Sequence, residues 1–307
     1  MRPTSLAFAA AVFLLPAPSL AQVTPLASPP GLPDPLAPPI LKGVDLALEA
    51  PATPVLPLAE WDGGQGQKHG DDLYQPSVGQ AGKDVIWVPT PDVLVKAMLT
   101  SARVTPSDFV VDLGSGDGRI PIAAARDFGA RAHGIDYNGE MVALARRNAE
   151  RAGLRGKVSF QRADIFESDF STASVVTLYL LPTLNLKLRP TLLAMKPGTR
   201  IVSHAFDMGE WEADEVIRTD EATGYLWIVP ARIGGRWAFE IGDDRFASNL
   251  VQTFQTVAAQ GGKVSSARLR GNDITLTLVG GRELSGTVQS DSRMAGPGWS
   301  ATRIAPR

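Results

Sequence analysis

The run Val110-Val111-Asp112-Leu113-Gly114-Ser115-Gly116-Asp117-Gly118-Arg119 concentrates the chemistry of the chain. Apolar residues around a single acid read as a short buried strand. Glycines at alternate positions let the backbone turn tightly and approach a ligand with no Cβ in the way. Residues 120–128 follow at once with a helical pattern, which puts a helix N-terminus behind the loop. Strand, glycine loop and helix N-terminus together cradle a nucleotide-type cofactor. A dinucleotide loop carries G-x-G-x-x-G. Here the sixth position is Arg119 and the third glycine, Gly118, comes one residue early, which ranks a dehydrogenase last.

Three more segments carry chemistry nearby. His133-Gly134-Ile135-Asp136-Tyr137-Asn138 closes a second apolar run. An acid at such a strand end can accept two hydrogen bonds from ribose hydroxyls. Gln161-Arg162-Ala163-Asp164-Ile165-Phe166 follows a strand-like stretch at 157–160, and residues 174–182, SVVTLYLLP, read as a further buried strand that carries Tyr179. Each acid also has a plainer reading, Asp112 as a loop brace and Asp136 and Asp164 as strand-end turn residues. Their joint order along the chain favours a shared site.

With an acid two residues ahead of it, the G-x-G-x-G of Gly114, Gly116 and Gly118 resembles motif I of the class I S-adenosylmethionine-dependent methyltransferases. The resemblance implies S-adenosylmethionine as cofactor and a role for each segment. Asp112 would meet the methionyl ammonium, and Gly114, Ser115, Gly116 and Gly118 would admit the cofactor close to the backbone. Asp136 would hold the ribose and Asp164 the adenine, with Ile165 flanking the ring and Tyr137 a further cofactor contact. Pro89-Thr90 would lie over the cofactor, or only start the helix that follows.

Across residues 86–214 the segments WVPTP, VVDLGSGDGRI, VVTLYLLPTLNLKLRP and PGTRIVSHAF are similar to bacterial relatives of the ATP synthase c-subunit lysine methyltransferases. The implied acceptor is a nucleophilic nitrogen, foremost a protein lysine. It would be reached by in-line displacement, in which orientation alone can supply roughly 7–11 kcal/mol. A small-molecule or lipid acceptor is the runner-up. A non-catalytic S-adenosylmethionine-binding module is the reading from a different class. A lysine must first shed a proton, which a desolvated channel favours. Tyr179, Trp87 and His204 are candidate channel residues, with Tyr179 and His204 the catalytic candidates. His204 would act as a base, or else be an ordinary hydrogen-bonded histidine at a strand end.

The elements that must position these residues alternate. Helical patterns at 91–101, 120–128, 140–152 and 183–195 interleave with strand patterns at 109–113, 132–135, 158–161, 175–180 and 200–205. Such alternation predicts an α/β, Rossmann-like, mostly parallel sheet covered on both faces, seven-stranded by the resemblance. Pro190 is expected to break or kink the last helix. Residues 225–229 and 237–241 read as the antiparallel edge of that sheet. Stretches at 267–269, 274–279 and 283–288, parted by Gly271-Asn272-Asp273 and Gly280-Gly281, read as a small C-terminal antiparallel β appendage. The expected divisions are a leader at 1–21, a Pro/Gly-rich linker at 22–82, the cofactor domain at 83–230, and edge strands with the appendage at 231–307.

Composition narrows the classes. The 307 residues carry a net charge of −2, which offers no basic surface for nucleic acid. Arg146, Arg147, Arg151 and Arg155 read as the solvated face of one helix. The three histidines lack metal-ligand company, so no metal site is expected. Arg2, the apolar run 6–15 and Ser19-Leu20-Ala21 form a secretory-signal pattern, or a membrane tether. Export to the periplasm then conflicts with a cofactor that is made in the cytoplasm, and both placements stay open. Pro29-Pro30, Pro33, Pro35 and Pro38-Pro39 keep the next stretch extended. Trp61 reads as an anchor onto the domain.

Overall fold

The computed structural model describes residues 69–305. The leader pattern, Trp61 and the linker up to residue 68 lie outside the described residues. A short hairpin of β1 (Gln80–Ala81) and β2 (Ile86–Trp87) leads into α1 (Asp92–Ser101). The alternation then runs β3 (Phe109–Leu113), α2 (Arg119–Phe128), β4 (Arg131–Asp136), α3 (Gly139–Arg151), β5 (Val158–Arg162), β6 (Val175–Leu178), α4 (Pro182–Leu193) and β7 (Arg200–His204). Two more strands, β8 (Glu215–Arg218) and β9 (Thr223–Ile228), complete a seven-stranded sheet of order β5-β4-β3-β6-β7-β9-β8. Strands β3 to β7 pair in parallel, and β9 runs antiparallel to both its neighbours.

The apolar runs explain the layering. A central parallel strand is covered on both faces, so both of its side-chain sets are apolar. Val110 and Val175 join a core with Leu94, Ile122 and Val142 from α1, α2 and α3. Val111, Leu113, Val176 and Leu178 join a second core with Leu188 and Leu192 of α4. Each fully buried side chain of this kind contributes about 1.5–3 kcal/mol. The parallel strands therefore end together, and Leu113, Asp136, Leu178 and His204 converge on one sheet edge, where ligands bind in such folds.

Two expectations are corrected. Helix α4 continues through Pro190 to Leu193. The proline falls in the last turn, so the helix loses only the one backbone donor that would have reached the Leu186 carbonyl. The second concerns the C-terminal region. Strand β10 (Gly235–Ile241), which contains residues 237–241, does not edge the parallel sheet. It opens a closed eight-stranded antiparallel barrel with β11 (Asp244–Thr253), β12 (Thr256–Gln260), β13 (Val264–Arg270), β14 (Asp273–Leu278), β15 (Glu283–Ser290), β16 (Arg293–Gly296) and β17 (Trp299–Arg303). β10 pairs with both β11 and β17, so no edge remains. A barrel, larger than the expected appendage, thus follows the sheet. Its interior is apolar, with Trp237, Phe239, Leu269, Leu276 and Met294 at most 1% exposed. Alternation at 237–241 marks a half-buried strand in either setting, and only the pairing separates them. Among the described residues no helix is long and apolar enough to cross a membrane.

Candidate active site

The glycine loop stands at the end of β3 in a conformation that needs glycine. Gly114, Gly116 and Gly118 have φ of +83°, +51° and +83°. A Cβ on Gly118 would lie 2.6 Å from the Phe160 ring and 2.9 Å from Ala145, and one on Gly116 would lie 2.7 Å from the Trp87 indole. Gly118 therefore serves close packing of α2 against α3 and β5, and it does not line the crevice. The amides of Gly114 and Ser115 both donate to the Ile135 carbonyl, which ties the loop to β4.

Three carboxylates line the loop's surroundings. Asp112 is 2% exposed and accepts from the Thr177 hydroxyl at 2.5 Å. Burial pushes its carboxyl up to about 7, and the nearby Asp136 and Asp117 add to this while the Thr177 bond opposes it. Asp136 accepts from the Gly116 and Asn138 amides, each at 2.8 Å, and burial raises it. Asn138 in turn caps α3 by accepting from Glu140 and Met141. Asp164 accepts from the Phe166 amide at 2.9 Å and from Lys83 Nζ at 2.5 Å, and the Lys83 ammonium holds it below the ordinary carboxylate range.

A strap formed by residues 69–90 runs across this edge. Asp71 anchors it on α3 through Arg147 Nε at 2.5 Å and Arg151 at 3.1 Å. These guanidiniums hold Asp71 far below the usual range, with the Arg147 bond the largest cause. Beneath the strap lies a crevice that includes Trp87, Pro89, Thr90, Asp112, Ser115 and Tyr179. An adjoining one includes Lys83, Tyr137, Asp164, Ile165 and Phe166, and the two share Gly82, Val85, Gly114, Asp136 and Asn138.

At the other end, β6 and β7 bring Tyr179 and His204 together, with ring centroids 3.8 Å apart. Thr90 Oγ1 lies 3.1 Å from His204 Nδ1. Burial lowers His204 to about 4 and raises Tyr179. Arg119, 7% exposed, grips Asp117 at 2.7 Å and 3.1 Å and donates to the Thr90 carbonyl at 3.0 Å. The sixth motif position thus joins the glycine loop to the strap. Among the described residues no cluster of three His, Asp or Glu side chains forms a metal site.

The family model of the ANTKMT methyltransferase domain matches residues 112–215. A protein-lysine N-methyltransferase of Saccharolobus islandicus (strain REY15A) is 43% identical over 151 residues, 47% of this chain and 94% of that protein. The chain belongs to the class I S-adenosylmethionine-dependent methyltransferases, among the protein-lysine N-methyltransferases. The ATP synthase c-subunit lysine N-methyltransferase of Mus musculus is 34% identical over 119 residues, 38% of this chain and 47% of that protein. A crystal structure of an RNA methyltransferase from Salinibacter ruber, in complex with S-adenosyl-L-homocysteine, is 50% identical with a TM-score of 0.47, covering 48% of this chain and 96% of that one.

This methyltransferase is an enzyme whose cofactor is S-adenosylmethionine, and its residues fit that group. Among the described residues no cation lies beside the buried Asp112, and the charged form of such an acid is a costly state that a bound ammonium relieves. Gly114 and Gly116 line the crevice with bare backbone at positive φ, which lets a ligand approach the chain closely. Lys83, Asn138, Arg119 and Thr177 complete the site; Arg119 and Asn138 stand within the motif segments but were given no binding role there, and Lys83 was not marked at all. Lys83 and Thr177 meet their acids only across the fold, at sequence separations of 81 and 65. Arg119 and Asn138 had local signals, Arg119 as the sixth motif position and Asn138 as an Asn directly before a helical run.

Proposed function

We propose that this methyltransferase transfers methyl from S-adenosylmethionine to the side-chain nitrogen of a protein lysine. The observation that carries the reading is the neutral aromatic wall of Tyr179 and His204 beside the Asp112 crevice. The lysine-methylating relatives support it. Bound cofactor supplies an electrophilic methyl group and a neutral thioether leaving group.

Asp112 holds the methionyl ammonium, Asp136 the ribose hydroxyls through the lone pairs its two amide bonds leave free, and Asp164 the adenine amino group. Tyr137 and Ile165 flank the adenine, and Pro89-Thr90 with Trp87 cover the methionyl end. The acceptor enters past Tyr179. Loss of water around its ammonium lowers its pKa from about 10.4 and frees the lone pair. His204, at about 4, stays uncharged at neutral pH and adds no repulsion. Such a pKa is too low for a base that must keep a lysine's proton, so His204 orients the amine and the proton leaves to solvent. The Thr90 bond at Nδ1 sets the ring for this task.

The test incubates the purified chain with methyl-labelled S-adenosylmethionine and total cell protein, with total RNA in parallel. Label on lysine, lost in Asp112→Asn and in Tyr179→Ala, is the expected result. Label on RNA alone overturns the reading.

A further inference from the structure

The barrel meets the sheet domain through a turn that breaks a hairpin rule. Strands β11 and β12 are joined by two residues, Phe254-Gln255, with Thr253 paired to Thr256. Phe254 has φ +53°, in the left-handed region that such hairpins give to glycine, asparagine or aspartate. A large side chain persists there only when its surroundings hold it.

Those surroundings belong to the other half of the molecule. The Phe254 ring packs with the apolar cluster of the sheet domain and is absent from the cluster that fills the barrel. It stacks on Trp211 at 6.2 Å and 18°, with the Arg189 guanidinium 5.4 Å from its centroid. Gln255 is 1% exposed and donates to the Glu212 carbonyl at 2.7 Å. Trp211 and Glu212 lie on one segment, residues 205–214, which leaves β7 directly after His204.

The start of that segment faces the acceptor pocket. The Phe206 ring lies 6.4 Å from Tyr179 at 26°. Helix α4 grips the same stretch: Asn185 Nδ2 donates to the Phe206 and Asp207 carbonyls at 3.1 Å and 3.2 Å, and Arg189 donates to Met208 O at 2.8 Å. Arg189 therefore touches both the segment and the Phe254 ring. The family match ends at residue 215, ahead of every barrel strand.

We propose that the barrel is a strut for catalysis: its Phe254-Gln255 turn fixes residues 205–214 so that Phe206 and Tyr179 frame the acceptor amine. Phe254 is then a positioning residue for methyl transfer, and the amine part of this statement rests on the lysine reading above. The strained backbone aims the ring out of the barrel, where a relaxed turn residue would carry no ring to Trp211. The crevice carboxylates Asp112, Asp136 and Asp164 stand on or just after β3, β4 and β5, whereas Tyr179 is the crevice residue that the segment touches through Phe206, so the strut is expected to act on transfer far more than on cofactor binding.

The test compares the full chain with Phe254→Gly, Phe254→Tyr and Val279→Ala. Glycine suits the turn, so the barrel folds and only the ring is lost. Val279 is 71% exposed on a different barrel turn and is the control. Poly-L-lysine with labelled S-adenosylmethionine probes transfer, calorimetry reads cofactor affinity, and hydrogen exchange reads amides 205–214. Phe254→Gly is expected to lower kcat/KM for poly-L-lysine by about tenfold, with cofactor affinity held within about twofold and exchange accelerated. Phe254→Tyr is expected to restore transfer and slow exchange, and Val279→Ala to change neither. Unchanged transfer in Phe254→Gly overturns the strut, as does a parallel loss of cofactor affinity. Failure of the unaltered chain to label poly-L-lysine counts against the lysine reading. The exchange data then decide the strut: faster exchange in Phe254→Gly that tyrosine reverses supports it, and unchanged exchange overturns it.

Discussion

The seven-stranded sheet and the eight-stranded barrel use burial in opposite ways. The sheet's ligand edge buries Asp112, Asp117 and His204 and holds three loop residues at positive φ. The barrel interior is a continuous apolar cluster around Trp237, Phe239 and Met294. A buried acid with no cation costs free energy that folding must offset elsewhere. A filled apolar interior returns free energy and leaves no unsatisfied group to recognise a ligand. Chemistry therefore belongs to the sheet edge, and the barrel acts through what it holds in place.

That contrast can be broken by substitution. Trp237→Ala in the barrel is expected to cost about 3–5 kcal/mol of stability, read by denaturant unfolding. Cofactor affinity of the remaining folded fraction should not change. Asp112→Asn should do the reverse, weakening S-adenosylmethionine binding by about 100-fold in calorimetry while leaving unfolding unchanged or stabilised. A variant that loses both properties together would erase the distinction. Gly118→Ala lies between these cases. It forces a Cβ onto Phe160 and Ala145 at φ +83°, and should destabilise the sheet domain by about 1–3 kcal/mol.

The pH dependence sharpens the contrast further. Asp112 sits near 7 in the folded protein, above its unfolded value near 3.9. The ligand-free protein should therefore lose stability as pH rises from the ordinary carboxylate range toward 7, because the folded state prefers the proton. Cofactor binding needs the charged carboxylate, so affinity should fall about tenfold per pH unit below 7, and Asp112→Asn should flatten that slope. The smallest expected effect is at Lys83. Its pair with Asp164 keeps contact with solvent, the side chains being 40% and 20% exposed, so Lys83→Ala should alter cofactor affinity only slightly, and the difference should fade as salt is raised.

The glycine loop and its flanking acids were legible because their signals are local. Three glycines within five residues, an acid before them and a helix after them describe a backbone path that needs no distant partner. The parallel sheet was legible for a similar reason, since runs such as 175–178 place apolar residues on both faces, with Thr177 the one polar member. Strand β8 and barrel strands β11, β12, β16 and β17 were not. Asp244–Thr253 buries Ser248 and Leu250 while it exposes Ala247 and Val251, so polar and apolar residue types do not alternate in step with burial. The turn at Phe254-Gln255 carries no turn signal at all, because its strain is held by Trp211 in another part of the fold.

The sequence alone determined which residues can touch a nucleotide-type cofactor, since glycine spacing and strand-end acids act through backbone conformation within a few residues. Tertiary structure decided who completes the site. Thr90 reaches His204 across 114 residues, Thr177 reaches Asp112 across 65, and β10 finds β17 to close the barrel. Periodicity records which face of an element is buried. It does not record the partner that buries it, and at the ligand edge and the barrel turn the partner is what gives each side chain its task.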